Sequence, residues 1–280
     1  WAFCNHAAQA DVLFAGSDMG VFRWSEASAR WTALPSPMQD VWALAQHPLR
    51  PEVLIAGTRP AGFWRSDDGG VNWRALSAPG ISAFSPINNG PTRVTQILFD
   101  PRDADTLWAC VEIGGIYMSR DGGAHWEARD QGLISADIHG LAIVPRPDGS
   151  TVLFATTNMG LHRSTDDGQH WAFTKLDSPW QYTRAIVPRA DHSGVLFLTN
   201  GNGPPGNTGR LLVSTDYGDT WHARTLPGSL NSTPWCVATH SADPMCVFVC
   251  TNLGQLFRST DGGASFVRLP HEFGELRALV

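Results

Sequence analysis

Lysine is almost missing from this chain. Of its 20 basic side chains only Lys175 is a lysine, and the 26 acidic ones bring the formal charge to −6. No basic stripe of the kind that tracks phosphates is present, so no nucleic-acid partner is expected. Long apolar runs are missing too, which removes a membrane span. No segment combines the length and the 3.6-residue apolar period of an ordinary helix. Cysteine is sparse and odd in number: Cys4, Cys110, Cys236, Cys246 and Cys250, with no CxxC pair. That argues against a purely disulfide-stapled scaffold and against thiolate metal sites. Buried free thiols acting as small hydrophobes are the expectation, although a short turn at 241–244 would set Cys236 opposite Val249 or Cys250. His6, His47 and His240 occupy equivalent turn positions, which reads as turn architecture. No metal and no cofactor are expected.

What the chain has in abundance is one phrase. Ser66-x-Asp68-x-Gly70-x-x-Trp73 returns as Ser119, Asp121, Gly123 and Trp126, then as Ser164, Asp166, Gly168 and Trp171. It returns again as Ser214, Asp216, Gly218 and Trp221, and finally as Ser259, Asp261, Gly263 and Phe266. A worn copy, Trp24 to Trp31, keeps only its last Trp. The copies stand roughly 42–53 residues apart, the period of a repeated supersecondary unit. Asp and Gly make a tight turn, with the carboxylate accepting backbone N–H groups and Gly free to take positive φ. The Ser hydroxyl adds a local bond, and the Trp returns to the sheet. Five aspartates in equivalent turns are expected to be structural.

The phrase resembles the Asp-box, or BNR repeat, of sialidases, xyloglucanases, sortilin-type receptors and a photosystem assembly factor. The resemblance covers nearly the whole chain. It implies that the phrase joins the third and fourth strands of a propeller blade. The residues agree: in the second copy Val41–Gln46, Glu52–Ala56, 63–66 and Trp73–Leu76 read as four short strands between Pro, Gly and Asp punctuation. Six copies predict an all-β fold, a six-bladed β-propeller of four-stranded antiparallel blades, in one domain spanning 1–280; seven blades is the alternative. Closure leaves two claimants for the first innermost strand, since Trp1-Ala2-Phe3 and Leu276–Val280 both align with Trp42-Ala43-Leu44. The chain starts at Trp1 without Met, as a removed leader or a trimmed chain would leave it. Secreted, periplasmic and cytoplasmic locations all stay open, and the oligomeric state is unknown.

Function is expected on the face opposite the repeated turns, around the central channel. One set of aligned positions, at the tips between second and third strands, offers Asp18, Arg59, Glu112, Asn158, Asn200 and Asn252. A second, on the innermost strands, offers Trp1, Trp42, Thr95, His139, Tyr182, Trp235 and Arg277, with Arg184 two places beyond Tyr182 on the same side. Long insertions at 77–93 and 200–210, the latter carrying Asn202, are expected to wall a pocket. Glu112, His139 and Tyr182 are the candidate catalytic residues, as carboxylate, imidazole base and phenol. The candidate ligand-binding residues are Trp42, Arg59, Arg93, Asn158, Arg184, Asn202, Trp235 and Arg277. Aromatic rings would stack on sugar faces, and the arginines would fork onto an anion. Asp18, Asp40, Glu112 and Asp137 are further carboxylates on that face.

The resemblance is specific for fold and weaker for activity. In sialidases it implies an arginine triad, a Tyr–Glu nucleophile pair and an Arg-Ile-Pro phrase. This chain has no Arg-Ile-Pro and only three tyrosines. The expected function is therefore binding, with hydrolytic or other acid/base processing, of a small or glycan-like ligand, with anionic ligands favoured. The alternative is a non-catalytic carbohydrate-binding or protein-scaffold propeller, with a true sialidase less favoured.

Overall fold

A computed structural model of the chain describes residues 2–279. The fold is a six-bladed β-propeller of four-stranded antiparallel sheets, each built from strands consecutive in sequence. The one helical element among the described residues is the short 3-10 turn Ala7–Gln9. No helix is long and apolar enough to cross a membrane. The chain divides into two compact units. One runs to Asp130 and includes Ala136–Ile138; the other comprises Gln131–Ser135 and the chain from His139 onward.

The innermost strands of the first unit are Ala2–Asn5, Val41–Gln46 and Arg93–Asp100. Those of the next three blades are Ile138–Pro145, Tyr182–Pro188 and Pro234–His240. The second strands are the most deeply buried. Leu54, Ile55 and Ala56 are each 0% exposed, as are Leu107, Trp108 and Ala109. A strand covered on both faces reads as a continuous apolar run instead of an alternation, which is why these segments were legible as strands. Within the first unit Ala43, Ile55 and Phe63 pack with Val94, Leu107 and Ala109. Within the second, Phe154 and Leu161 pack with Ile186, Leu198 and Leu212. The outermost strands are short: Arg30–Ala33, Arg74–Leu76, Glu127–Ala128, Ala172–Thr174, His222–Arg224 and Val267–Arg268.

The repeated phrase forms the turn into those outer strands. Ser66 Oγ donates to Asp68 Oδ1 at 2.9 Å and accepts from Gly70 N at 2.8 Å. Asp68 Oδ1 accepts from Asn72 N at 2.8 Å, and Trp73 Nε1 donates to Gly70 O at 2.9 Å. The copies at Ser119, Ser164, Ser214 and Ser259 repeat the Ser–Asp bond at 2.7–2.8 Å. The second glycine of the turn is needed twice over. Gly218 and Gly263 have φ of 84° and 91°, and a Cβ there would meet Phe154 Cζ at 2.2 Å and Phe197 Cε1 at 2.3 Å. The turn thus docks against a ring of the preceding blade. The worn copy is a different turn, with Ser25 paired to Arg30 and Trp24 to Trp31.

One expectation needs correction and one open choice is settled. Residues 276–279 form no strand: Leu276 N donates to Asn252 O at 3.0 Å, and Arg277 O accepts from Cys236 Sγ. Ala2–Asn5 takes the innermost place in the first blade, paired with Val12–Ser17; Trp1 and Val280 lie outside the described residues. Both insertions carry strand pairing. Phe84–Ser85 pairs with Gly90–Pro91, and the second insertion extends a hairpin, with Gly201 opposite Gly209. The turn histidines behave as expected: His6, His47 and His240 each accept a backbone N–H two residues on through Nδ1.

Candidate functional site

Strand register decides which side chains share a position. In the second blade Val41 faces Thr58 and Ala43 faces Gly57, so Trp42 is an extra, bulged residue. Thr95 is bulged between Val94 and Gln96, and Trp235 between Pro234 and Cys236. In the fifth blade the shift lies between Thr183 and Ile186, so Arg184 falls in the bulge. Register therefore puts Arg184 where Trp42 stands, and Tyr182 two residues before it, where the third blade has Arg93. A bulge re-aims a side chain and adds one residue to the count. The same bulge moves Asn200 off the loop-tip set and puts Gly201 there. Asn200 is fully buried, bonding Trp180 O, Tyr182 O and Ser178 Oγ.

In the first unit these positions make a corner. Arg93 Cζ lies 4.2 Å from the centroid of the Trp42 ring. Arg93 stands opposite Glu112 in the ladder and forms an ion pair with its carboxylate. Both side chains are about four-fifths buried. Trp42 Nε1 donates to Asp40 Oδ1 at 2.7 Å, and Asp40 adopts φ of 51°. Glu112 is also the bridge partner of Asp137. The corner thus holds one aromatic face, one arginine and three acidic residues. Asp40 and Asp137 carried no individual role in the sequence reading; the signal for Asp40 was its position two residues before Trp42.

The second unit has two ring contacts. His139 and Tyr182 have centroids 5.1 Å apart, and His139 Nδ1 lies 2.6 Å from Thr183 O. That backbone contact assigns the Nδ1–H tautomer by its hydrogen bond. Arg184 Cζ sits 4.3 Å over the Trp235 ring. Among the described residues Arg184 has no ion-pair partner, in contrast to Arg93. Glu112 and His139, both candidate catalytic residues, belong to different units.

The remaining candidates lie elsewhere. Arg59 is exposed, its backbone N donating to Asp40 O at 2.9 Å. Asn158 is an exposed tip residue. Asn202 closes its own loop, Nδ2 donating to Asn207 Oδ1 at 2.7 Å. Arg277 is exposed and pairs with Glu275 at 2.9 Å. Among the described residues no group of three or more His, Cys, Asp or Glu could hold a metal ion.

No family model matches the chain. It is 38% identical over 86 residues to the oligoxyloglucan-reducing end-specific xyloglucanase of Emericella nidulans, covering 30% of this chain and 10% of that protein. It is 27% identical to a xyloglucanase of a Paenibacillus species, across 94% of this chain and 30% of that one. The chain therefore spans a tenth to a third of the length of these relatives. Among solved structures, a GH74 enzyme of Niastella koreensis superposes with a TM-score of 0.75 at 20% identity, covering 95% of this chain and 44% of that one. These likenesses, with six four-stranded sheets in chain order, agree on a β-propeller fold.

Proposed function

We propose that this chain is a carbohydrate-binding propeller of xyloglucanase type, with Trp42 and Trp235 as its sugar platforms. One observation carries the reading: two bulged positions of the innermost strands both hold a half-buried tryptophan stacked against an arginine, at 4.2 and 4.3 Å. A flat ring held on one side by a guanidinium has a fixed orientation and is suited to the apolar face of a pyranose. The likeness to xyloglucanases supports a neutral β-glucan backbone as the ligand class. Within this reading the Ser-x-Asp-x-Gly-x-x-Trp turns are Asp-boxes, and 1–280 is one domain. Calorimetric titration with xyloglucan oligosaccharides tests it. Saturable binding that Trp42→Ala or Trp235→Ala weakens is expected; absence of binding in the intact chain would sink the proposal.

Hydrolysis is the second reading, favoured by the Glu112–Asp137 bridge. Bridge partners have Cα atoms about 4.5–5.5 Å apart, and glycosidases set their two carboxyl groups about 5–10 Å apart. Glu112 and Asp137 would be the acid/base pair, beside Trp42 and Arg93. Release of reducing ends from xyloglucan, lost in Glu112→Gln and in Asp137→Asn, is the expected result; release unaffected by both changes would remove them as catalysts. A preference for anionic sugars rests on Arg184, because Arg93 and Arg277 already face Glu112 and Glu275.

A further inference from the structure

Cys236 and Cys250 stand directly opposite each other in the ladder between Pro234–His240 and Asp243–Thr251. Direct antiparallel partners have Cα atoms about 4.5–5.5 Å apart and side chains on one face. That separation lies inside the window of roughly 4.4–6.8 Å that a disulfide requires. Both are free thiols in this structure, Cys236 half-buried and Cys250 fully buried. Cys236 is the more exposed of the two; its sulfur also donates to Arg277 O at 3.4 Å, and it follows the platform residue Trp235. The other cysteines lack such a partner among the described residues. Cys110 is buried in an apolar second strand, where desolvation pushes its thiol up; burial pushes Cys4 up to about 12. Cys246 lies on the same strand as Cys250 but four residues away, too far along the ladder to face Cys236.

We propose that Cys236 and Cys250 are a reversible oxidation site, closed to a cross-strand disulfide by peroxide. The Cys236 sulfur attacks one peroxide oxygen, the O–O bond breaks, and sulfenic acid and one water result. The Cys250 thiolate then attacks the sulfenic sulfur. The S–O bond breaks, the S–S bond forms, and the departing hydroxide takes a proton to become a second water. Two thiols are oxidised and one peroxide is reduced. One feature prepares the second step. Cys236 contacts Cys250 through sulfur, and that hydrogen bond draws the Cys250 thiol below the ordinary range, which favours the thiolate that must attack the sulfenic sulfur. The bond to Cys250 and burial hold the Cys236 thiol above the ordinary range, and the Arg184 guanidinium acts against them.

Peptide mapping tests the proposal on the whole chain. No Lys or Arg lies between Arg224 and Arg258, so trypsin leaves Cys236, Cys246 and Cys250 in one peptide. Cleavage before Asp243 separates Cys236 from the other two. A Cys246→Ser chain is exposed to limiting hydrogen peroxide, alkylated, cut before Asp243 and weighed. The expected result is a linked pair of peptides carrying Cys236 and Cys250, lighter by two hydrogens and released by dithiothreitol. Separate peptides, with Cys236 alkylated as a free thiol or over-oxidised, would overturn it. In Cys250→Ser the resolving thiol is gone, so dimedone should trap a sulfenic acid at Cys236. An unlabelled Cys236 there would show that peroxide does not enter at this sulfur, and the proposal would fall.

Discussion

Trp42 and Trp235 occupy matching bulges and both carry an arginine on one ring face, yet the two corners differ in charge. In the first, Arg93 is neutralised by Glu112, and Asp40 caps the indole N–H. In the second, Arg184 has no carboxylate partner among the described residues, and the neighbour after Trp235 is a thiol. A cation–π contact by itself leaves the guanidinium charge unbalanced, so the second corner keeps an attraction for anions that the first has cancelled. The repeat supplies the same backbone bulge in both; the residues opposite it decide what the corner can recognise.

The largest effect should come from removing the rings. Trp42→Ala and Trp235→Ala are each expected to weaken xyloglucan oligosaccharide binding by about tenfold, on the order of 1.4 kcal/mol, measured by calorimetry. Loss from only one of them would show that the corners are not equivalent platforms. Arg184→Ala sharpens the charge difference. It should lower affinity for a uronic-acid oligosaccharide by about fivefold, on the order of 1 kcal/mol and the scale of one net hydrogen bond, while leaving a neutral one unchanged. Raising the salt should shrink that difference; an equal loss for both sugars would make Arg184 a packing residue. Glu112→Gln attacks the contrast from the other side by freeing Arg93. We expect a gain in uronic-acid binding and a stability loss of about 1 kcal/mol, since both partners are largely covered, read by urea unfolding. No gain in anion binding would mean that Arg93 is held away from ligand by packing.

The smallest effect serves as a control outside both corners. Asp121 titrates at about 2 against an ordinary 3.8, first because His125 hydrogen-bonds its carboxylate. A depressed carboxyl stabilises the folded state above its unfolded value and loses that contribution as pH falls from about 4 to about 2. Asp121→Ala should therefore flatten the acid limb of the stability curve in that window and cost, after allowance for its exposure, less than about 1 kcal/mol at neutral pH. Sugar binding should be untouched. A loss of binding in folded protein would break the separation between repeated turns and corners.

Much of the fold was legible because its signals are local. Ser, Asp and Gly in the turn act within four residues of each other, so the phrase and its geometry coincide. The doubly buried second strands announce themselves as apolar runs such as Val53-Leu54-Ile55-Ala56. The site was legible by residue type and less by position. An innermost-strand bulge inserts one residue without any mark in the sequence, so aligning Tyr182 with Trp42 missed the shift that places Arg184 there. Ladder pairing gives Glu112 its partners Arg93 and Asp137, contacts that residue type alone does not announce. Leu276 to Leu279 has the composition of a strand, yet composition does not say that Ala2–Asn5 holds the innermost place in the first blade.

The outermost strands, two to four residues long in every blade, have a consequence for how these molecules meet one another. A free sheet edge is a template on which another chain can add a strand, and the strength of that template grows with the number of unpaired amides in a row. In the five blades that carry it, the Ser–Asp–Gly turn, not a long ladder, holds the outer strand in place. The edge can then be cut short without the blade fraying. Each blade thus offers a stranger too few consecutive N–H and C=O groups to seed edge-to-edge growth. The repeated turn thus limits the exposed edge as well as shaping the fold.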